Sequence, residues 1–279
     1  MIHQQISLGL DYAALGLQNG GCQPTLTTYL LDNSPDIDPE RVRPVVLICP
    51  GGGYAFTTDR EAEAVAIRFN SYGYHALVLR YSVAPAEFPA SLVELAAAVR
   101  LVRERAEAWH VDKKRVLVAG FSAGAHLACS LGVFWNRPFL QKLLGTEPES
   151  YRPDGMILSY PVITSGEFAH CGSFVNLLGG QEDAKRALVS LEHQVSKETP
   201  PAFIWHTFAD NSVPLENSLL LADALRKAGV PFELHIYPHG GHGLGLANEE
   251  TMCKRTGFGV QPECQSWTEL AHTWIEHNF

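Results

Sequence analysis

The sequence predicts an α/β fold, with a mostly parallel central sheet covered by helices on both faces. Three observations point there. Short apolar runs such as 45–49, 115–119 and 202–206 alternate with segments of helical periodicity, as expected of strands buried on both sides. The 279 residues, 46% hydrophobic and 18% charged, are enough to build the core that such a sheet needs. No low-complexity linker or internal repeat divides them, so one domain spanning 1–279, with an insertion at about 162–200, is the simplest organisation.

The elements follow in order. Residues 23–31 are β-prone through Thr25, Leu26, Thr27, Thr28, Tyr29 and Leu30, and the turn-rich Asp32-Asn33-Ser34-Pro35-Asp36 ends them. Residues 45–49 form a fully apolar strand running into Pro50-Gly51-Gly52-Gly53-Tyr54. Thr58 and Glu61 read as a capping box, opening a helix whose inward stripe is Ala62, Val65, Ala66 and Phe69 and which Gly73 closes. A strand at 75–81 precedes a long helix carrying Leu92, Leu95, Ala96, Val99, Val102 and Ala106 on one face. Strand 115–121 comes next, and 156–160 and 202–206 are further buried strands separated by the irregular, polar stretch 162–200. A helix at 215–228 stops at Gly229 with Pro231 beyond it, 232–237 is the last strand, and Trp267, Leu270, Ala271, Trp274 and Ile275 mark a C-terminal helix.

Charge and cysteine usage narrow the function classes. A net charge of −9 offers no basic footprint for nucleic acid, and no polybasic cluster or apolar span points to a membrane. The six cysteines form no Cys-x-x-Cys pair, and Cys49 and Cys129 lie in apolar runs where a reduced thiol behaves as a small hydrophobe. With no basic, apolar leader at residues 1–7, the expectation is a cytoplasmic protein.

The chemistry concentrates at Gly120-Phe121-Ser122-Ala123-Gly124, where an apolar strand turns sharply into a small-residue helix with Ser122 at the tip. A serine hydroxyl is a poor nucleophile unless a base takes its proton and a third group orients that base. Asp210 and then His242 follow Ser122 in the order nucleophile, acid, histidine that such a strand–turn–helix serine calls for, each just past a predicted strand and so on the same sheet edge as Ser122. An Asp in such a loop is also an ordinary turn former, and His239 competes with His242 for the base role; the glycines flanking His242 favour it. His235 reads as a packing or solvent-facing residue. Backbone donors for an oxyanion would come from Ala123 and from the glycine-rich loop, which matches no phosphate-loop pattern. His235, His239 and His242 lack metal-ligand spacing, so no metal and no cofactor are expected. Tyr54 and Tyr81 are candidates to line the substrate pocket.

These segments, with His126-Leu127, Asp210-x-x-Val213-Pro214 and Gly241-His242-Gly243, resemble the α/β-hydrolase superfamily. More narrowly, they resemble its acetyl-esterase/lipase branch, in particular small bacterial carbohydrate esterases of the acetylxylan-esterase-like and feruloyl-esterase-like kind. The resemblance covers most of 44–245 and implies an α/β-hydrolase fold. It implies Ser122 as nucleophile, His242 as base and Asp210 as its orienter, with Gly52, Gly53 and Ala123 as the oxyanion donors. Two departures bear on substrate. Cys49-Pro50 stands where many lipase-branch relatives have His before the glycines, and residues 1–44 do not read as the long N-terminal helical cap of hormone-sensitive-lipase-like enzymes, so the insertion at about 162–200 is the expected lid. The expected function is a serine esterase for short acyl groups, foremost acetyl on sugars or xylo-oligosaccharides. The partner is then a small-molecule or oligosaccharide ester, with a homo-oligomer left open. The rival readings are a serine peptidase or amidase of the prolyl-oligopeptidase type and a non-catalytic hydrolase-fold binding protein.

Overall fold

The computed structural model describes residues 1–179 and 185–279; of the 162–200 insertion, 180–184 lie outside the described residues. The strands are β1 (Gln5–Ser7), β2 (Thr25–Tyr29), β3 (Arg43–Cys49), β4 (His75–Arg80), β5 (Val111–Phe121), β6 (Gly155–Ser159), β7 (Ala202–Thr207) and β8 (Phe232–Tyr237). The α-helices among the described residues are α1 (Glu63–Ser71), α2 (Ala90–Glu104), α3 (Ala123–Phe134), α4 (Pro138–Leu144), α5 (Cys171–Leu178), α6 (Glu216–Ala228) and α7 (Trp267–Asn278).

All eight strands join one sheet in the order β1-β2-β4-β3-β5-β6-β7-β8. The β1–β2 and β2–β4 pairings are antiparallel, and every pairing from β4 across to β8 is parallel. The alternation of side chains along each strand divides the core into two layers. Val45 and Leu47 of β3 with Val116 and Val118 of β5 pack with Leu92 and Val99 of α2, Leu127 of α3 and Leu221 of α6. Val46 and Ile48, with Leu117 and Ala119, face the other way toward Val65 and Phe69 of α1 and Trp267 and Trp274 of α7. The expected mostly parallel sheet covered on both faces is therefore the observed architecture. Among the described residues, no helix is long and apolar enough to cross a membrane.

Three differences from the sequence reading have simple causes. β1 is a three-residue strand held to β2 across the sheet edge, too short for a pattern to show. Thr58 does act as a cap, but for a 3₁₀ turn at Asp59–Glu61, where its hydroxyl accepts from the Arg60 N–H; α1 starts only at Glu63. Glu61 is buried and bonded elsewhere, so no reciprocal capping box forms. Within the insertion, α5 carries Phe174 and Leu177 into the same core layer as α2 and α3, an amphipathic stripe concealed by its polar surroundings.

Topology places the site. After β3 the chain passes to β4 on one side, then to β5 on the other, so the loops leaving β3 and β5 lie side by side at a topological switch point. Cys49 pairs with Gly120 at the ends of these strands, which brings the glycine-rich loop against Ser122.

Candidate active site

Ser122 sits at φ 55°, ψ −119°, a conformation that a residue with a side chain adopts only under constraint. Such strain costs about 1–3 kcal/mol. The constraint is visible: the Ser122 N–H donates to the Ser159 carbonyl at 3.0 Å, and its own carbonyl accepts from Ala125, His126 and Val162. The flanking glycines are steric necessities. A Cβ at Gly120 would overlap the Gly124 carbonyl, and one at Gly124 would overlap the Cys49 carbonyl.

The loop after β8 brings His242 to the serine, with Nε2 2.7 Å from Ser122 Oγ and Nδ1 2.7 Å from Asp210 Oδ2. An ionised carboxylate can only accept, so Nδ1 carries the proton and Nε2 is left to accept from the serine hydroxyl. Asp210 is buried, and its Oδ1 accepts the N–H groups of Ser212 and Val213, both at 2.9 Å. His206, at the end of β7, brings Nε2 to 3.3 Å from Asp210 Oδ2 while also donating to the Val213 carbonyl. Burial pushes the Asp210 carboxyl up, but hydrogen bonds from His206 and His242, with His242's charge and the Val213 N–H, outweigh it and hold the group well below the usual carboxylate range. The structure thus gathers Ser122, His242 and Asp210 into one hydrogen-bonded chain. His239 is exposed and takes no part in it, and His235 bonds Glu233 on the strand. His206 was not anticipated, since inside an apolar run it reads as a core residue.

The glycine-rich loop curls at positive φ through Gly52 (136°), Gly53 (63°) and Tyr54 (57°). At Gly52 a side chain would collide with the Phe56 carbonyl, whereas a Cβ at Gly53 would meet Ser173 and His170 at ordinary contact distance. No acceptor among the described residues takes the N–H of Gly52, Gly53 or Ala123. Ala123 opens α3, so its N–H lies at the positive end of that helix. Asn176 of α5 donates to the Gly53 carbonyl at 2.8 Å, tying the insertion to the loop. His170, bonded through Nδ1 to Ser173 Oγ at 2.8 Å, stands above it. Burial and the charge of nearby His242 hold the His170 imidazole below its ordinary pKa. Asn176 and His170 escaped sequence reading because the insertion carries no motif.

Tyr54 and Tyr81 require a correction. They are 2% and 4% exposed, and their rings pack edge-on behind the loop rather than lining a pocket. Both hydroxyls are committed: Tyr81 donates to the Pro50 carbonyl at 2.7 Å, and Tyr54 bonds His126 Nδ1 at 2.9 Å. His126 Nε2 must donate to the Val189 carbonyl at 2.9 Å, so Nδ1 accepts from Tyr54 and the ring is neutral. These tyrosines hold the loop against α3.

Burial pushes His126 down to about 4 from 6.5, and His75, also fully buried, down to about 4. A histidine with a lowered folded-state pKa takes up its proton first in the unfolded chain. Stability is therefore intact above pH 6.5 and declines as pH falls toward 4, by roughly 3 kcal/mol for His126 alone. Urea midpoints measured from pH 7 to pH 4 are expected to fall steeply, and His126→Gln, which cannot take the proton, to fall less. Parallel curves for the two proteins would refute the assignment.

A BD-FAE family model matches residues 34–225. Among curated proteins, an endo-1,4-beta-xylanase B of Butyrivibrio fibrisolvens is 40% identical over 242 residues, covering 82% of this chain and 36% of that protein. An acetylxylan esterase of Xylanibacter ruminicola is 32% identical over 204 residues, covering 71% of this chain and 40% of that protein. The chain thus spans well under half the length of these two relatives. It matches solved structures over nearly their whole length. An acetyl ester-xyloside bifunctional hydrolase from Caldicellulosiruptor lactoaceticus aligns at TM-score 0.83 and 38% identity, covering 98% of this chain and 96% of that one. A carboxylesterase from Lactobacillus plantarum aligns at TM-score 0.85 and 28% identity, covering 99% and 98%.

Proposed function

This chain belongs to the BD-FAE family and has the α/β-hydrolase fold, and from that premise we propose that it is a serine esterase removing short acyl groups, foremost acetyl, from sugars or xylo-oligosaccharides. The observation that carries the reading is the Ser122–His242–Asp210 chain with both of its links at 2.7 Å. In the proposed reaction Ser122 Oγ attacks the ester carbonyl as His242 Nε2 takes its proton, and Asp210 holds the imidazole in the accepting tautomer. The N–H groups of Gly52, Gly53 and Ala123 receive the developing oxyanion. His242 then protonates the leaving alkoxide, an acyl group remains on Ser122, and water activated by the same imidazole releases it.

The substrate class rests on two supports. The relatives' names pair acetyl esters with xylan-derived sugars. The described part of the 162–200 insertion brings polar His170 and Ser173 over Gly53, a cover better suited to a small acyl group and a hydroxylated alcohol than to a long chain. All six cysteines are free, which fits the cytoplasmic location we assign.

The test is turnover on 4-nitrophenyl acetate, butyrate and octanoate and on acetylated xylo-oligosaccharides, with released acetate measured directly. Acetyl esters are expected to exceed octanoyl esters by at least about 10-fold in kcat/KM, since a single misfit methylene is worth about 10–200-fold. Absence of ester turnover, or faster cleavage of peptide anilides, would overturn the proposal.

A further inference from the structure

We propose that Glu61 is a positioning residue for the oxyanion site, a single buried carboxylate that holds the 51–53 loop and the His242 loop in register with each other. This rests on the esterase reading above. Glu61 is 2% exposed and touches the 51–53 loop directly and the His242 loop through Tyr160. Its Oε2 accepts the Gly51 N–H at 2.8 Å, and its Oε1 accepts the Tyr160 O–H at 2.6 Å. The Tyr160 oxygen in turn accepts the Gly245 N–H at 3.0 Å, three residues past His242, and the Tyr160 ring stands edge-on to the imidazole at 5.1 Å. The preceding residue braces the same loop, Arg60 Nη1 donating to the Gly243 carbonyl at 2.9 Å.

The fit at Gly51 shows how tightly this fixes the donors. A Cβ there would come within 2.8 Å of Glu61 Oε2, 2.8 Å of the Phe121 carbonyl and 3.0 Å of Ser122 Cβ. Gly51 is thus wedged between Glu61 and the serine turn, and the direction of its peptide sets where the next two N–H groups point. A carboxylate is an unfavourable choice for core filling here. No ion pair to Glu61 occurs among the described residues, and burial pushes its carboxyl above the ordinary range despite the bonds it accepts and the charges of His242 and Arg60. What the carboxylate offers, and an aliphatic side chain does not, is two acceptors placed for two separate loops.

The experiment compares wild type, Glu61→Gln, Glu61→Ala and Tyr160→Phe in kcat, KM, thermal midpoint and affinity for a trifluoromethyl ketone, whose hemiketal oxygen mimics the oxyanion. Loss of a positioned oxyanion donor lowers kcat by about 10²–10³-fold. Glu61→Ala is expected to lose about 10²-fold in kcat with KM within about 3-fold. Glu61→Gln, which keeps an acceptor for Gly51 and shape for the core, should recover most of it without a fall in thermal midpoint. Ketone affinity should follow kcat/KM across the series. If Glu61→Ala does not fold, Glu61→Gln and Tyr160→Phe carry the comparison. A folded Glu61→Ala with wild-type kcat, or a loss of kcat with unchanged ketone affinity, would overturn the inference while leaving the esterase reading intact. A wild type without ester turnover would overturn both.

Discussion

Ser122→Ala is expected to lower kcat on 4-nitrophenyl acetate by about 10⁴–10⁶-fold while the protein remains folded. The size follows from the arrangement: the Oγ 2.7 Å from His242 is the hydroxyl aligned with an acceptor nitrogen, so no neighbour replaces it. Stability should change little. The strained backbone at φ 55° is held by the Ser159, Ala125, His126 and Val162 hydrogen bonds, all of which are main-chain to main-chain and survive the substitution. Alanine also keeps the Cβ that already fits against Gly51. The residual rate should stay above the uncatalysed one, because the Gly52, Gly53 and Ala123 donors remain. The check is kcat beside a urea melt. A variant that retains more than a few per cent of wild-type activity would remove Ser122 from the mechanism. One that unfolds would show that the hydroxyl contributes to the turn itself.

Much of this arrangement was legible because it sits where local rules are strict. The turn at Ser122 admits only glycine at positions 120 and 124, since any Cβ would enter a carbonyl oxygen, so the motif records the geometry directly. The strands were legible for the opposite reason: β3, and β5 from Val116 to Phe121, are buried on both faces, and their apolar runs at 45–49 and 116–119 are unbroken. Tyr54 and Tyr81 misled because motif proximity says where a residue lies along the chain, not which side of the loop its ring occupies. Their rings lie behind the loop, against α3 and the sheet. Glu61 misled in another way. Its spacing from Thr58 satisfied a local helix-cap pattern, but tertiary partners 10 and 99 residues away in sequence claimed both carboxylate oxygens. Asn176 carried no local signal at all, since it acts through one long-range contact that only the folded topology creates, whereas His206 meets Asp210 only four residues on but is masked by the apolar run around it.

Asp210→Asn is expected to lower kcat by about 10⁴-fold and, unlike Ser122→Ala, to destabilise the protein as well. Each oxygen of Asp210 is surrounded by donors: Ser212 and Val213 N–H groups at Oδ1, His242 and His206 at Oδ2. An asparagine presents one acceptor and one donor, so in either orientation its NH₂ meets N–H groups. With the carbonyl left to the backbone, the NH₂ donates to His242 Nδ1 and forces the proton onto Nε2, which then points a donor at Ser122 and no longer accepts from it. With the amide reversed, the NH₂ opposes Ser212 and Val213, and one buried donor pair is left unsatisfied at a cost of about 1–3 kcal/mol. The pH dependence separates this from a generic loss of packing. Because the Asp210 carboxyl is held below its ordinary range, its contribution to stability is complete above the unfolded-state value of about 3.9 and is lost as pH falls through the folded-state value. The stability gap between wild type and Asp210→Asn should therefore be widest at neutral pH and narrow below about pH 4. Denaturant melts of both proteins at pH 7 and pH 3 decide it: a gap of the same size at both would mean that the ionised carboxylate, with its four donors, is not what stabilises this loop.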